Sequence, residues 1–205
     1  MATRPRDESR LRTLLTQACA RLMADEGVKD FLTAKRKAAA RLGVSNRALL
    51  PGNAEIEQAV LEYQRLFKSA EQSARLRSLR QAAVEAMQFL ARFRPRLVGS
   101  VLAGTAGPHT EVTLHLFADT PEEVALFLLE HTIPFETSER RLRLGNSEYA
   151  CFPVFGFGAG GVNIDLTVFS QGAERAAPRS PVDGRPMRRA SLAEVQALVD
   201  EQPSF

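Results

Sequence analysis

The sequence lacks the features of several common classes of protein. Its two cysteines, Cys19 and Cys151, lie far apart and are predicted to be small buried hydrophobic residues rather than halves of a disulfide. The three histidines form no ligand cluster with them, so the spacing of a zinc site is missing. No apolar run reaches the ~18 residues that span a bilayer, and we expect no membrane partner. The N-terminal segment is too polar for a secretory signal, so the expected compartment is the cytoplasm.

Familiar catalytic motifs are missing as well. The chain has no P-loop, no Gly-x-Ser-x-Gly elbow, no His-Glu-x-x-His and no Cys-x-x-Cys. Its glycine-rich run, residues 156–161, lies between two predicted strands rather than before a helix. We therefore interpret this run as a hairpin turn and not as a nucleotide-binding loop.

Charge is distributed unevenly along the 205 residues. Residues 1–96 contain 19 Lys and Arg against 10 Asp and Glu, whereas residues 97–205 contain 8 against 14. A basic half suggests an anionic partner, with nucleic acid as the leading candidate. The same excess is expected of a solvated helical surface or of contact between the two halves.

Apolar periodicity predicts an α+β fold that begins with a basic α-helical region, residues 1–79. Amphipathic patterns predict helices over 7–26 and 31–42, and a third pattern starts at Asn53. That pattern continues to Pro95, as one long helix or as two helices with a break near Lys68–Ser73.

Short strands dominate from Pro95 onward. Within a predicted domain of residues 80–170, a helix over 121–131 is followed by a charged strand and by two strands that form a hairpin. Residues 171–205 are predicted to be a Pro-, Arg- and Gly-rich arm that ends in a short helix capped by Ser191.

Residues 30–50 resemble a helix-turn-helix, whose middle is the run Ala39–Ser45 with Gly43 at the turn and Leu49 beyond it. Pro51 limits the second helix of this motif to roughly one turn, because proline does not continue a helix interior. The residues that would contact nucleic acid phosphates are Lys35, Arg36, Lys37 and Arg41. A second basic cluster consists of Arg75, Arg77 and Arg80 followed by Arg92, Arg94 and Arg96, and could hold a polynucleotide or a nucleotide phosphate. A DNA-binding regulator and a plain helix-turn with a basic rim both remain open.

One stretch organises the second half of the chain. It contains a predicted strand at Arg96–Val98, a tight Gly99-Ser100 turn and an alternating strand from Glu111 to Ala118. A Gly-Ser pair at the end of a strand exposes backbone N–H groups that can bind an anion. Ten residues separate Ser100 from Glu111, and Thr113 lies on the same strand face as Glu111.

This pattern resembles the active-site signature of the nucleotidyltransferase superfamily that includes DNA polymerase β. In that family a Gly-Ser turn is followed, at a similar spacing, by an Asp-x-Asp pair, and a later strand supplies a third carboxylate. Asp165, in the strand that begins at Val162, occupies the third position here. The sequence departs from the family at the pair itself, where Glu111 replaces the first Asp and Thr113 the second.

The resemblance implies a mixed β-sheet with flanking helices, and a nucleoside triphosphate and Mg²⁺ or Mn²⁺ as ligands. It makes Glu111 and Asp165 the catalytic and metal-binding residues, and Gly99, Ser100 and Thr113 the cofactor-binding residues. Two divalent ions would assist transfer of a nucleotide to an RNA, protein or small-molecule acceptor. Because Thr113 contributes no negative charge to the metal site, the alternative is a catalytically degenerate module of the same fold with a nucleotide-binding or regulatory role.

Overall fold

The structure is a computed structural model that describes residues 5–67, 69–145 and 148–201. These residues form two compact units. The first comprises the described part of Met1–Gln72, Thr105–Thr110 and Pro181–Asp183. The second comprises Ser73–Gly104, the described part of Glu111–Ser180 and the described part of Gly184–Phe205. The predicted α+β fold with an N-terminal helical region is confirmed.

The first unit is helical. Its elements are α1 (Pro5–Asp25), α2 (Phe31–Arg41), a 3₁₀ turn (Arg47–Leu49) and α3 (Asn53–Phe67). Asp30 caps α2 by accepting a hydrogen bond from the backbone N–H of Thr33. The buried stripes of the three helices meet in one apolar core, whose members include Leu15, Cys19, Leu22, Ala34, Ile56 and Val60. Burial raises the pKa of the Cys19 thiol to about 11, as expected for a cysteine that packs as a hydrophobic residue.

The sequence leaves open one long helix or two helices with a break near Lys68–Ser73, and the structure describes only part of that stretch. The α3 helix ends at Phe67 and α4 (Ser69–Phe89) begins at Ser69, whereas Lys68 lies outside the described residues. Residues of α4 from Ser73 onward belong to the second unit.

The second unit contains a five-stranded mixed sheet. Its strands are β1 (Arg96–Val98), β2 (Val112–Ala118), β3 (Glu136–Arg143), β4 (Tyr149–Ala159) and β5 (Val162–Ser170). Its helices are α4, α5 (Gly99–Ala103), α6 (Pro121–Glu130) and α7 (Leu192–Asp200), with 3₁₀ turns at Ala91–Phe93 and Gln171–Arg175. The strand order is β1-β2-β5-β4-β3. Only the β2–β5 pair is parallel among these neighbours.

The predicted hairpin is confirmed, with a shorter turn than the glycine run suggested. The β4 strand extends to Ala159 and pairs there with Val162, so Gly160 and Gly161 alone make the turn. Both have positive φ angles, which is the requirement of a two-residue type I′ turn and favours glycine at each position.

One face of the sheet packs on helices because β2 and β5 contribute alternate apolar residues to it. Leu114 and Leu166 are fully buried and paired, and α6, whose Val124 and Leu128 are buried, packs against both strands. The opposite face carries the intervening residues of the same strands, among them Thr113 and Asp165. This second face is called the site face below.

The sheet edge at β1 is covered by the C-terminal arm. Leu97 and Ala190 exchange two backbone hydrogen bonds of 2.9 Å, which satisfy part of the edge strand. Immediately afterwards Ser191 caps α7 in a capping box with Glu194, confirming the cap predicted from the sequence. Cys151 on β4 is exposed, so the prediction that it is buried is wrong, because its strand lies next to the edge strand β3.

Candidate functional site

A transverse row of five residues crosses the site face. It includes Thr113 and Asp165, two of the candidate site residues selected from the sequence. Strand pairing aligns Val98 with Thr113, Thr113 with Asp165, Asp165 with Gly156, and Gly156 with Glu136. Directly paired residues project from the same face of a sheet. The residues of β2 and β5 that resemble metal-binding positions are therefore neighbours.

Gly99 and Ser100 continue from the β1 end of this row. The tight turn predicted for this pair is wrong, because the chain instead begins the five-residue helix α5 at Gly99. Gly99 has a φ of 75°, a left-handed conformation in which a Cβ would be costly. The chain then continues as a helix, since Val101 and Leu102 of its next turn are buried.

An open pocket of about 420 Å³ lies over the other end of the row. Its lining includes two phenylalanines, two glycines and four residues with carboxylate or amide side chains. The lining residues are Glu111, Pro134, Phe135, Glu136, Gly156, Phe157, Gly158, Asn163 and Asp165. The pocket thus brings together Glu111 and Asp165, whereas Gly99, Ser100 and Thr113 are outside its lining.

Asp165 is bound to an arginine of the edge strand. Arg140 donates from Nη2 to Oδ2 of Asp165 at 2.7 Å, and its Nη1 lies 3.5 Å from Oγ1 of Thr167. The Asp165 side chain is 19% exposed and that of Arg140 35%, so the pair is partly shielded from water. Gly156 leaves room for this arrangement, because a Cβ there would lie 3.4 Å from Oδ1 of Asp165.

The side chains present do not fit the two-ion centre that the resemblance implies. Thr113 offers a neutral hydroxyl where the family has a bridging carboxylate. Asp165 already makes a charge-assisted hydrogen bond, and the Arg140 cation would repel a divalent ion at the same carboxylate. Among the described residues, no group of three or more His, Cys, Asp or Glu side chains is arranged to hold a metal ion.

Two positions further along β2 and β5, the site face is covered. His115 pairs with Thr167, and both are almost completely buried. Burial lowers the pKa of His115 to about 3, with further lowering by the charges of Arg189 and Arg140. Since Arg189 Nε donates to His115 Nδ1 at 3.1 Å, that nitrogen carries no proton and the ring is neutral. His115 is therefore a buried hydrogen-bond acceptor and does not reach the pocket.

Arg189 holds the C-terminal arm against this covered part. Its guanidinium lies 5.0 Å from the ring centre of Phe117 and 4.9 Å from that of Phe169. Its Nη1 donates to the backbone carbonyls of Ala173 and Glu174 at 3.1 and 3.0 Å. Burial lowers the pKa of Arg189 to about 10, which leaves it cationic at neutral pH.

The helix-turn-helix resemblance ends after its first helix. Gly43 follows α2 in a left-handed conformation, as a helix-ending turn requires. The segment that would be the recognition helix is the three-residue 3₁₀ turn Arg47–Leu49, which precedes Pro51.

The basic residues of α2 have different environments. Lys35 donates to Asn53 Oδ1 at 2.6 Å, and Arg41 forms an ion pair of 2.6 Å with Glu26. The two remaining residues, Arg36 and Lys37, are exposed.

Arg80 is not part of an exposed basic surface, which corrects the grouping with Arg75 and Arg77. It is 7% exposed, and its guanidinium lies within hydrogen-bonding distance of the carbonyls of Val101 and Leu198. Burial lowers its pKa. Arg75 and Arg77 are both partly buried.

Sequence reasoning missed the partner of Asp165 and most of the pocket. Arg140 was visible only as one of several charges in a predicted strand, and nothing local indicates that β3 lies two strands from β5. The alternation of side chains along β3 gave a weak indication, because Glu136 and Arg140 are four residues apart and therefore project from the same face. Phe135, Phe157 and Asn163 carry no motif at all.

Comparison with known proteins adds no relative: no protein-family model, no curated protein and no solved structure matches this chain. Among the described residues, no helix is long and apolar enough to cross a membrane.

Proposed function

We propose that this chain binds a nucleoside triphosphate without transferring its nucleotide, as a catalytically degenerate module of nucleotidyltransferase-like architecture. The observation that carries the proposal is the 2.7 Å ion pair between Arg140 and Asp165 in the transverse row. Asp165 stands where the resemblance expects a metal-binding carboxylate. Arg140 supplies the positive charge that a metal ion would otherwise bring, so binding does not depend on a divalent cation.

The pocket beside this ion pair has the volume of a small-molecule site and polar side chains in its lining. Its volume of about 420 Å³ lies within the roughly 300–1,000 Å³ that is usual for small-molecule sites. The Asn163 amide and the Glu136 carboxylate provide donors and acceptors for base edges or ribose hydroxyls.

The charge of the pocket determines the orientation in which the nucleotide binds. Glu111, Glu136 and Asp165 make the lining acidic, which disfavours a polyphosphate inside it. The base and ribose therefore occupy the pocket, and the phosphates extend along the transverse row toward Gly99 and Ser100.

Titration calorimetry with ATP, in excess chelator and in Mg²⁺, tests this proposal. We expect similar affinities in the two conditions for the parent protein. Arg140→Ala leaves the Asp165 carboxylate without its partner, so affinity in chelator should fall about tenfold or more. Arg141→Ala is the matched control, because Arg141 is adjacent on β3 but stacks over Tyr149 at 4.5 Å. Loss of all ATP binding in chelator would contradict the proposal.

An assay for nucleotide transfer tests the competing possibility that the protein is an active nucleotidyltransferase. ATP labelled at the α-phosphate is incubated with the protein and either Mg²⁺ or Mn²⁺, and we expect no labelled product. Labelled product that Asp165→Ala removes would overturn the proposal in favour of nucleotidyl transfer through Glu111 and Asp165.

A further inference from the structure

A second carboxylate, near the β1 edge of the site face, binds two arginines. Glu174 lies in the 3₁₀ turn that directly follows β5. Its Oε1 accepts a hydrogen bond from Arg96 Nη2 at 2.9 Å, and its Oε2 forms an ion pair with Arg94 Nη1 at 2.9 Å. These three residues are called the arginine clamp below.

The arginine clamp contains more positive charge than its carboxylate balances. Arg189 lies beside it and donates to the backbone carbonyl of Glu174. The hydrogen bond from Arg96, together with attraction by Arg94, Arg96 and Arg189, holds the pKa of the Glu174 carboxyl below its ordinary value. Three guanidinium groups therefore face one ionised carboxylate at neutral pH.

The arginine clamp is accessible to a ligand. The side chains of Arg94 and Arg96 are 46% and 32% exposed, and that of Glu174 is 25% exposed. Arg94 has a φ of 47°, a left-handed conformation that is unfavourable for a non-glycine residue. Arg189 is instead enclosed by aromatic rings and serves as the fixed background charge.

The arginine clamp lies at the β1 end of the site face, on the side of Val98 away from Gly99 and Ser100, so phosphates that follow the transverse row to β1 turn there toward Arg96. Arg96 pairs with His115, two residues from Val98 along β1, and projects from the site face. Spacings of about 4.8 Å between strands and about 3.4 Å per residue put its Cα roughly 12 Å from that of Asp165. A nucleoside triphosphate whose base lies in the pocket can span that distance.

We propose that Arg94 and Arg96 bind the oligophosphate of the nucleotide, and that Glu174 occupies this subsite until the ligand displaces it. The inference rests on the proposed function for the identity of the rest of the ligand. Phosphate oxygens accept the same paired N–H groups of a guanidinium that a carboxylate accepts, so the ligand can replace Glu174 at both arginines. Since Glu174 competes, one phosphate gains little, whereas a triphosphate brings enough charge to displace it. The arginine clamp thereby selects triphosphates over monophosphates.

Titration of inorganic tripolyphosphate in chelator at low salt tests this subsite. Glu174→Gln removes the competing charge and should tighten binding about tenfold, whereas Arg96→Ala should abolish it. The matched controls are Arg92→Ala, whose guanidinium packs over Phe93 and Phe127, and Glu139→Gln, an exposed acid of β3. Neither control should change the affinity. Thermal unfolding checks that each variant folds. If Arg96→Ala does not fold, Arg96→Lys replaces it. This variant keeps the charge, loses the paired N–H groups and should weaken binding.

Adenosine and ATP separate this inference from the proposed function. We expect ATP to bind more tightly than adenosine, with Arg96→Ala removing the difference and leaving adenosine binding intact. Tripolyphosphate affinity that neither Glu174→Gln nor Arg96→Ala changes would overturn the arginine clamp as a phosphate subsite, even if adenosine binds. Tripolyphosphate binding that depends on Glu174, without adenosine binding, would support the arginine clamp and contradict the proposed function.

Discussion

The two ends of the site face use arginine in opposite ways. At the covered end, Arg189 is enclosed by two aromatic rings and donates to carbonyls and to His115. At the open end, Arg140 reaches a carboxylate beside a pocket and keeps a third of its side chain in solvent. The same two strands, β2 and β5, supply both ends, only two residues apart. The difference shows that the segment after β5, and not the strands, decides which part of the face is covered.

Removing Arg189 should cause the largest loss of stability, because it uncovers the covered end of the site face. Arg189→Ala leaves the carbonyls of Ala173 and Glu174 and the Nδ1 of His115 without their donor, and it removes two cation–π contacts. We expect a loss of about 3–5 kcal/mol in the free energy of unfolding, measured by urea denaturation. Arg188→Ala, an exposed neighbour, should change it by less than about 0.5 kcal/mol. Equal effects of the two variants would contradict this account.

The covered end should also make stability depend on pH. The pKa of His115 is about 3 in the folded protein, against about 6.5 in the unfolded chain. Between these values the unfolded state binds the extra proton, so the free energy of unfolding falls as pH falls, by up to about 1.4 kcal/mol per pH unit. The contribution is fully present above pH 6.5.

Urea denaturation from pH 7.5 to pH 4.5 measures this slope. In His115→Gln that component should disappear, whereas His109→Gln, a change at an exposed histidine, should keep it. An unchanged slope in His115→Gln would show that other groups produce the pH dependence.

At the open end, Gly99→Ala should produce a smaller loss of stability. A Cβ at Gly99 meets nothing within 4 Å, so the cost comes only from its φ of 75° and should be about 1–2 kcal/mol. Gly172→Ala is the matched control, because its Cβ also meets nothing within 4 Å and its φ is not positive. Thermal unfolding of both variants tests the conformational explanation, which fails if Gly172→Ala costs as much.

The smallest stability effect is expected at the pocket itself. Gly156→Ala places a Cβ 3.4 Å from Oδ1 of Asp165, at the lower limit of ordinary contact, whereas Gly158→Ala places one 3.9 Å from Oδ1 of Asn163. Both should cost less than about 1 kcal/mol. Only Gly156→Ala should weaken ATP binding, because it crowds the carboxylate that Arg140 holds. Equal ATP affinities in calorimetry would indicate that the ligand does not depend on that carboxylate.

Much of the local structure could be predicted from residue order alone. The strand Arg96–Val98, the helix after Thr120, the turn at Gly160 and the cap at Ser191 each follow from signals within a few residues. Local signals failed where buried neighbours decided the outcome. The chain at Gly99 continues into a helix because Val101 and Leu102 are buried, and Arg80 is buried although its helix is rich in basic residues.

The candidate site was only half predictable for the same physical reason. Glu111, Thr113 and Asp165 could be selected by spacing and by resemblance, since each lies at or near a recognisable strand. Their environment could not, because Arg140 reaches Asp165 only through a strand order that differs from the order in sequence. The acidic pocket, the arginine clamp and the covering arm depend on the same order.

The sequence by itself therefore determined the elements: amphipathic helices, alternating strands, glycine turns and side-chain caps, all set by interactions between residues near one another in the chain. Tertiary structure alone decided that β2 and β5 pair in parallel and that Thr113 lies beside Asp165. It also decided that an arginine forms an ion pair with that carboxylate. Strand pairing over such separations depends on the burial of whole faces and on the closure of long loops. No short stretch of sequence contains those energies, and the chemistry of the site follows from them.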